Sequence, residues 1–362
     1  MKPFKIYQSE KSNLPTRIIG GDASGVRDWD NLKYPTMVDI RSNLWEENWN
    51  EHEIKLGKDM EQYKSLLSER EKYVFNTLTG MLNELDSSAT DFLTYLFMIT
   101  TDPSVRSIIA LILGFETLHN ASYQYLTSSM LNGQQKHQAF EEVKNIKALQ
   151  DRNAFLYEKI NTAINAIRKY IVNDEEQTEE FTQAIFEGVL AYQCLEGLYF
   201  SGGFVYFHAL ARSQKMIGSN NMIMLIKADE QQHSEFFGMF VRMLMAENPH
   251  LNTQANMDYA VNFIKEAVER EKKWANFIFE GLDLFSIKEY EDYVEYLANL
   301  IARNAGMQEP FADNKEIKSR WIVTYGSKKR NGKDNKQIVT RSSFLEGNTI
   351  NYTHEDGEDF DL

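Results

Sequence analysis

The residues of this chain best suited to bind metal ions are two copies of a Glu-x-x-His pattern. They are Glu116-Thr-Leu-His119 and, much later in the chain, Glu230-Gln-Gln-His233. Residues three positions apart lie on the same face of an α-helix, so each copy would present one carboxylate and one imidazole to the same point. Two such helices, with one carboxylate from each of two further helices, form the cage around a pair of metal ions in four-helix bundles. The pattern therefore predicts a dinuclear metal site.

The apolar surroundings of both glutamates strengthen this prediction. Glu116 lies among isoleucine, leucine and phenylalanine residues, and Glu230 follows the apolar run 222–226. An unpaired carboxylate on a buried helix face costs several kcal/mol, so a cation should compensate it. A divalent ion would do so, and a lysine or arginine from another helix is the alternative. A third copy, Glu247-Asn-Pro-His250, contains a proline and ends a helix, and we set it aside.

Two further carboxylates lie in apolar segments. Asp86 ends an amphipathic run, and Glu196 is followed by Phe200 and Phe204 on its own helix face. An oxygen-rich ligand set with only two imidazoles suits iron or manganese better than copper or structural zinc. The only cysteine, Cys194, excludes a cysteine-rich zinc or iron–sulfur site, and we interpret it as a small buried apolar residue.

The composition excludes several classes of protein. With 362 residues, 43% of them hydrophobic, the chain can form a large core in one or two domains. A net charge of −14 argues against nonspecific nucleic-acid binding and against an anionic membrane surface as partner. No apolar run reaches the roughly 18 residues of a membrane-spanning helix, and the N-terminus has no signal-peptide pattern. A lone cysteine forms no internal disulfide, so we expect a cytoplasmic protein.

Helical patterns dominate the sequence, and strand signals are few. The six prolines lie near segment ends, as they do in proteins built from long helices. The predicted helical stretches are about 53–99, 103–131, 138–172, 179–200 with a continuation to 215, 219–247, and two within 253–307. Gly202-Gly203 is expected to weaken or bend the continuation. The sequence thus predicts an all-α bundle.

The two ends of the chain differ from this helical body. Residues 1–50 are irregular, with glycines at positions 20, 21 and 25, and are expected to wrap around the core. After about residue 312 the composition changes, and a basic segment at 328–336 precedes an acidic end at 355–362. We therefore predict one body, 1–312, and a flexible tail, 313–362.

Four motifs, in the expected order and spacing, resemble the small, radical-generating subunit of class I ribonucleotide reductase. The motifs are Phe115–Tyr123 (FETLHNASY), Leu195–Phe204 (LEGLYFSGGF), Asp229–His233 (DEQQH) and Asn48–Ile54 (NWNEHEI). The resemblance covers about residues 40–310 and the end of the tail. It implies a ferritin-like helical bundle with two iron or two manganese ions in its core, and thus an oxidoreductase of deoxyribonucleotide biosynthesis and DNA replication.

The resemblance also implies individual ligands. For one ion they are Asp86, Glu116 and His119, and for the other they are Glu196, Glu230 and His233. Tyr123 comes seven residues after Glu116, on the same helix face, and would carry the radical. Three apolar residues would shield that radical from water and reductants: Phe200, Phe204 and Ile226.

Further residues are implied for transfer of the oxidising equivalent. Trp49 would be the next relay residue. Trp45 is its alternative, but Trp49 directly precedes the expected helix start. Asp229 would accept a hydrogen bond from the His119 ring and fix its tautomer, the alternative being an ion pair with Lys227.

The tail is implied to reach a partner. Tyr352 would carry the radical between the two proteins, with Tyr325 as the alternative. Glu355–Leu362 would be the docking peptide, anchored through Phe360 and Leu362. The implied partners are the large catalytic subunit that reduces ribonucleotides, a second copy of this chain in a homodimer, and an accessory flavoprotein.

Two other functions stay open on the sequence. A related dinuclear oxidase would act on a small molecule and would need neither Tyr352 nor the acidic end. An iron-binding, ferritin-like bundle would need no radical tyrosine.

Overall fold

Long α-helices make up most of the residues that the computed structural model describes, which are 7–46, 48–173, 177–326, 329–331 and 337–339. The helices are α1 (Met37–Glu46), α2 (Gly57–Ser65), α3 (Glu69–Ile99), α4 (Pro103–Met130), α5 (Gly133–Val143), α6 (Lys147–Asn173), α7 (Glu179–Cys194), α8 (Ser201–Arg212), α9 (Ile217–Glu247), α10 (Gln254–Ile278), α11 (Ile287–Asn304) and α12 (Arg320–Gly326). A π-helix, Leu195–Phe200, joins α7 to α8, and short 3-10 turns lie at Glu51–Glu53 and Ala312–Asn314. Two short strands, β1 (Lys329–Asn331) and β2 (Gln337–Val339), pair antiparallel after α12. The predicted all-α bundle is confirmed.

Capping residues explain where the long helices begin. Asp102 caps α4 and Pro103 is its first residue, as the sequence predicted. The stretch predicted as helical from 53 to 99 is instead two helices. Ser68 and Glu71 form a capping box, which starts α3 anew after α2 has ended.

A second capping box corrects another predicted boundary. Asn132 and Gln135 bond reciprocally to each other's backbone N–H, so α5 begins at Gly133 rather than near 138. The chain then turns between Val143 and Lys147 before α6. The stretch predicted as 138–172 is therefore also two helices.

The helix after α7 is not interrupted at Gly202-Gly203. Both glycines are buried inside α8, which continues directly from the π-helix. A Cβ at Gly203 would lie 2.9 Å from the end of the Met81 side chain, so this glycine lets α8 approach α3 closely. The local irregularity is the π-helix, which comes before the glycines.

The centre of the bundle lies where α3, α4, α7 and α9 meet. α3 packs against α4, α7 packs against α9, and α4 also contacts α9. On the outside, α6 covers α7, and α10 packs against both α6 and α11. Cys194, at the end of α7, is fully buried, consistent with its interpretation as a small core residue.

The N-terminal segment and α12 both pack onto this bundle. Ile18 is fully buried and its carbonyl accepts a hydrogen bond from the Thr101 N–H at 2.7 Å, as expected for a wrapping N-terminal segment. α12 contacts α8 and α9 and buries Ile322, so the packed body extends past residue 312. No helix within the described ranges is long and apolar enough to cross a membrane. Tyr352 and the predicted docking peptide, 355–362, lie outside the described residues.

Candidate metal centre

Four helical segments bring six buried carboxylate and imidazole side chains together. α3 supplies Asp86, α4 supplies Glu116 and His119, the π-helix supplies Glu196, and α9 supplies Glu230 and His233; all six are fully buried. They form two overlapping groups, in each of which the facing atoms lie within 4.8 Å of one another. The first half-site is Asp86, Glu116, His119 and Glu230, and the second half-site is Glu116, Glu196, Glu230 and His233.

The distances inside the cluster suit two neighbouring cations. The Nδ1 atom of His119 lies 3.0 Å from Oε1 of Glu230, and the Nδ1 atom of His233 lies 2.9 Å from Oε2 of the same glutamate. His233 Nδ1 also lies 3.1 Å from Oε1 of Glu116. Because Glu116 and Glu230 belong to both half-sites, they are the two carboxylates placed to bridge a pair of ions.

Several ligand atoms of this cluster have no hydrogen-bond partner among the described residues. Both oxygens of Asp86 and both oxygens of Glu196 are buried without a hydrogen bond from any described residue. Each ion pair that the cluster carboxylates make has a histidine, not a lysine or arginine, as its basic partner. Unpaired buried carboxylates are costly, and oxygen-rich sites of this kind favour iron or manganese. The residues present therefore fit a dinuclear metal centre.

Burial and repulsion between the carboxylates determine the pKa values of the metal-free cluster. Burial raises the pKa of Asp86 and Glu196 well above the ordinary value, and the charge of neighbouring Glu116 raises both further. Burial alone would lower the pKa of His119 and His233, but the surrounding carboxylates outweigh it and raise both. Protons therefore partly neutralise the cluster, and binding of metal must displace them.

The outer nitrogen of His119 connects the cluster to Trp49. Oδ2 of Asp229 lies 3.0 Å from His119 Nε2 and accepts a hydrogen bond of 2.7 Å from the Trp49 indole N–H. The Trp49 and His119 rings are stacked, with centroids 6.2 Å apart. Trp49 is 7% exposed, whereas its alternative, Trp45, is 63% exposed.

Lys227 is not the partner of Asp229. Its ammonium group lies 5.8 Å from the centre of the Tyr293 ring, and burial lowers its pKa to about 8. Asp229 instead pairs with His119 and Trp49, which matches the arrangement implied for a residue that fixes the His119 tautomer.

Tyr123 is fully buried, and its hydroxyl has no hydrogen-bond partner among the described residues. Burial raises the pKa of this phenol well above the ordinary value, and the charge of Asp86 raises it further. The phenol is therefore neutral, and the charges of the cluster carboxylates act on it. Three apolar residues of the same core are also fully buried: Phe200, Phe204 and Ile226.

A second buried tyrosine beside the cluster was not singled out from the sequence. The Tyr192 hydroxyl lies 3.5 Å from Oε1 of Glu116, and its ring packs on Phe92 and Phe237. The sequence could have indicated this tyrosine, because Tyr192 precedes Glu196 by four residues, a spacing that places both on one helix face. By contrast, no local sequence pattern signals the π-helix that carries Glu196.

Comparison with known proteins decides the family. The sequence profile of the family described as "Ribonucleotide reductase, small chain" matches residues 26–318. The chain belongs to this family. Subunit beta of ribonucleoside-diphosphate reductase from Halalkalibacterium halodurans is 31% identical to it over 322 residues, 89% of each protein.

Solved structures agree with membership of the ribonucleotide reductase small-chain family. A protein described as a class I ribonucleotide reductase from Bacillus halodurans superimposes with a TM-score of 0.78 at 29% identity, over 89% of this chain and 98% of that one. The dimanganese(II) NrdF protein of Streptococcus sanguinis gives a TM-score of 0.67 at 18% identity, over 83% of this chain and 99% of that one, and supports the fold alone. This ribonucleotide reductase small chain is thus part of an oxidoreductase, and a small subunit implies a large catalytic partner.

We expect Mn(II) to stabilise the protein more at pH 8 than at pH 6. The pKa values of Asp86, Glu196 and His233 are raised in the fold, so the protons that these groups hold stabilise the metal-free protein. That stabilisation is lost as the pH rises through the raised pKa values. At pH 8 fewer protons compete with the metal. At one Mn(II) concentration used at both pH values, about 100 times the Kd at pH 8, the stabilisation at pH 8 is about 2.7 kcal/mol, or roughly 4 °C in Tm, and it is smaller at pH 6, where the Kd is higher. Thermal unfolding with and without Mn(II) measures it.

Two variants provide the controls for this measurement. Glu230→Gln removes a carboxylate common to both half-sites and should abolish most of the Mn(II) effect. Glu187→Gln changes a glutamate on α7 that pairs with Lys159, away from the centre, and should leave the effect intact. An equal Tm increase at both pH values would contradict the prediction.

Proposed function

We propose that this small chain generates a stable radical on Tyr123 and passes its oxidising equivalent to a large subunit that reduces ribonucleotides to deoxyribonucleotides. The observation that carries the proposal is a fully buried, unpaired tyrosine hydroxyl beside a double carboxylate–histidine cluster. A buried site excludes the water and reductants that would quench a phenoxyl radical. Membership of the small-chain family supports this function over a metal oxidase or an iron store.

Two iron or two manganese ions are the proposed cofactor. Asp86, Glu116 and His119 would hold one ion, and Glu196, Glu230 and His233 would hold the other. Such a pair of ions supplies the one-electron oxidant for a nearby phenol. If the ions are manganese, an accessory flavoprotein is the proposed source of oxidant. The ligand types present suit either metal.

The residues around His119 are proposed to join the centre to the protein surface. Asp229 accepts from the Trp49 indole and lies within hydrogen-bond distance of His119 Nε2. With its proton on Nε2, His119 leaves the Nδ1 lone pair free for the first half-site. Trp49, Asp229 and His119 thus form an unbroken hydrogen-bonded path, which we assign to the relay.

We expect Tyr123→Phe to abolish the tyrosyl radical. The apoprotein is loaded anaerobically with Fe(II) and exposed to oxygen, or loaded with Mn(II) and given a suitable oxidant, and electron paramagnetic resonance (EPR) spectra are recorded. Tyr192→Phe is the matched control, because this tyrosine is equally buried beside the cluster and should not carry the signal. Wild-type protein that takes up metal but forms no radical would instead support a dinuclear oxidase or an iron-binding protein.

We expect deletion of residues 345–362 to abolish ribonucleotide reduction while leaving the Tyr123 radical intact. The proposal places Tyr352 and the acidic peptide 355–362 in that segment, as radical relay and docking element for the large subunit. EPR measures the radical, and nucleotide reduction with the large subunit measures the pairing. A synthetic 345–362 peptide should compete with the full chain, and a scrambled peptide should not. Full reduction by the truncated chain would refute the assignment.

The exposed face of α4 supports a homodimer. Between Ser107 and Met130, the only acidic or basic side chains apart from tyrosines are Glu116 and His119, and both are fully buried. The residues that α4 leaves exposed are all small or polar without charge: Ala110, Gly114, Thr117, Ala121 and Ser128. A long helix normally carries charges on its solvent face, so we propose that a second copy covers this one.

We expect Gly114→Glu to convert the dimer to a monomer. Apart from its chain neighbours and its own helix backbone, no described residue has an atom within 4 Å of a Cβ added at Gly114, so the substitution fits the monomer but places a charge in the proposed interface. The molar mass measured by light scattering after size exclusion should fall from twice 42.1 kDa to 42.1 kDa. Gly133→Glu, also at an open helical glycine, is the matched control and should remain dimeric. A dimeric Gly114→Glu protein would place the interface elsewhere.

A further inference from the structure

Arg152 on α6 forms hydrogen bonds with the π-helix that carries Glu196. Its Nη2 donates a hydrogen bond of 2.9 Å to the backbone carbonyl of Tyr199, and the Tyr199 hydroxyl donates one of 3.2 Å to the Arg152 carbonyl. The guanidinium also lies 3.8 Å from the centre of the Tyr199 ring. Arg152 is 1% exposed, so these contacts are made in the core.

A buried carboxylate holds this arginine in place. The Arg152 Nε donates to Oε2 of Glu271, and the Tyr290 hydroxyl donates to the other oxygen, Oε1. Asn153 accepts a further hydrogen bond of 2.8 Å from Nη1. Each nitrogen of the guanidinium therefore has a partner, and one of those partners is π-helix backbone.

Gly202, two residues after the π-helix, packs directly on this ion pair. A Cβ at Gly202 would lie 2.5 Å from Oε1 of Glu271 and 2.6 Å from the Tyr290 hydroxyl. Any larger residue would displace the carboxylate that holds Arg152. The glycine noted in the sequence thus lets the start of α8 rest against the Arg152–Glu271 pair.

These contacts need an explanation beyond stability. A π-helix is a rare form that interrupts the α-helical hydrogen-bond ladder, and buried backbone carbonyls require donors. A buried ion pair adds little net stability compared with well-packed apolar residues, although removing one partner is costly. What the arginine adds here is a directional bond to one backbone atom, the Tyr199 carbonyl.

We propose that Arg152, held by Glu271, is a positioning residue that fixes the π-helix and thereby sets the place of Glu196 in the second half-site. The proposal rests on the proposed metal centre. Tyr199 follows Glu196 by three residues, less than one turn of the same π-helix. Glu196 belongs only to the second half-site, whereas the first half-site draws its residues from α3, α4 and α9. Loss of the Arg152 bond should therefore weaken one ion and spare the other.

The test uses Arg152→Lys in the full-length protein. Lysine keeps the positive charge beside Glu271 but lacks the planar fork that reaches the carboxylate and the Tyr199 carbonyl together. Free Mn(II) is titrated by its EPR signal under anaerobic conditions, and unfolding is followed by circular dichroism. Wild type should bind two ions. The variant should bind the first ion as wild type does and the second about 10–100 times more weakly, the usual effect of losing a support for a metal ligand.

Arg168→Lys is the matched control. Arg168 is on the same helix, donates from two nitrogens to the Tyr95 hydroxyl and lies 4.9 Å from the Tyr95 ring centre, with no bond to the π-helix. The Arg168→Lys protein should bind both ions with wild-type affinity. The paired variant Arg152→Met with Glu271→Gln removes the buried charges together, so it provides a second test in which the fold carries no unpaired charge.

Each outcome decides the proposal. Selective weakening of the second ion in a variant with wild-type unfolding supports it. Wild-type affinity for both ions in Arg152→Lys overturns it, as does equal weakening of both ions. If neither Arg152 variant folds while Arg168→Lys does, the contact supports the whole fold and the positioning role is wrong. Failure of wild type to bind any ion would instead contradict the metal centre itself.

Discussion

The constraint on which the rest of the protein depends is the burial of four carboxylates at one point in an apolar core. Asp86, Glu116, Glu196 and Glu230 are all fully buried, and the ion pairs that they make within the described residues are with histidines rather than with a lysine or arginine. Such a cluster repels itself and has lost its hydration, so protons or metal ions must compensate it. Four separate helical segments have to be held together against that repulsion. The long helices, their caps and the contacts around the π-helix provide this support.

Spacing alone located four of the six residues of the cluster. Glu116 with His119 and Glu230 with His233 follow from the three-residue spacing and an apolar setting, and the structure places both pairs at one point. Asp86 and Glu196 have no such spacing. Their apolar surroundings made them candidates, and the resemblance to a family then implied that they are ligands. Their positions depend on which helices pack together, and that depends on contacts between residues far apart in sequence.

The fold could be predicted at the level of helix type but not at every boundary. The break before α3 and the early start of α5 both come from capping boxes, Ser68 with Glu71 and Asn132 with Gln135. These patterns were visible in the sequence, but the hydrophobic periodicity runs across them. The π-helix is different, because its support comes from Arg152 and Glu271 on other helices. No local sequence pattern contains that information.

The two half-sites are unequal, and the difference lies in what holds them from outside. His119 has its second nitrogen beside Asp229, which connects it to Trp49, whereas Nε2 of His233 has no partner among the described residues. The second half-site instead depends on a π-helix fixed by Arg152. If the oxidising equivalent leaves the centre along the hydrogen-bonded path through Asp229, it must leave from the first half-site, to which His119 belongs. The position of Glu196 then determines how well the second half-site binds its ion, and a change there alters metal binding without changing the relay residues.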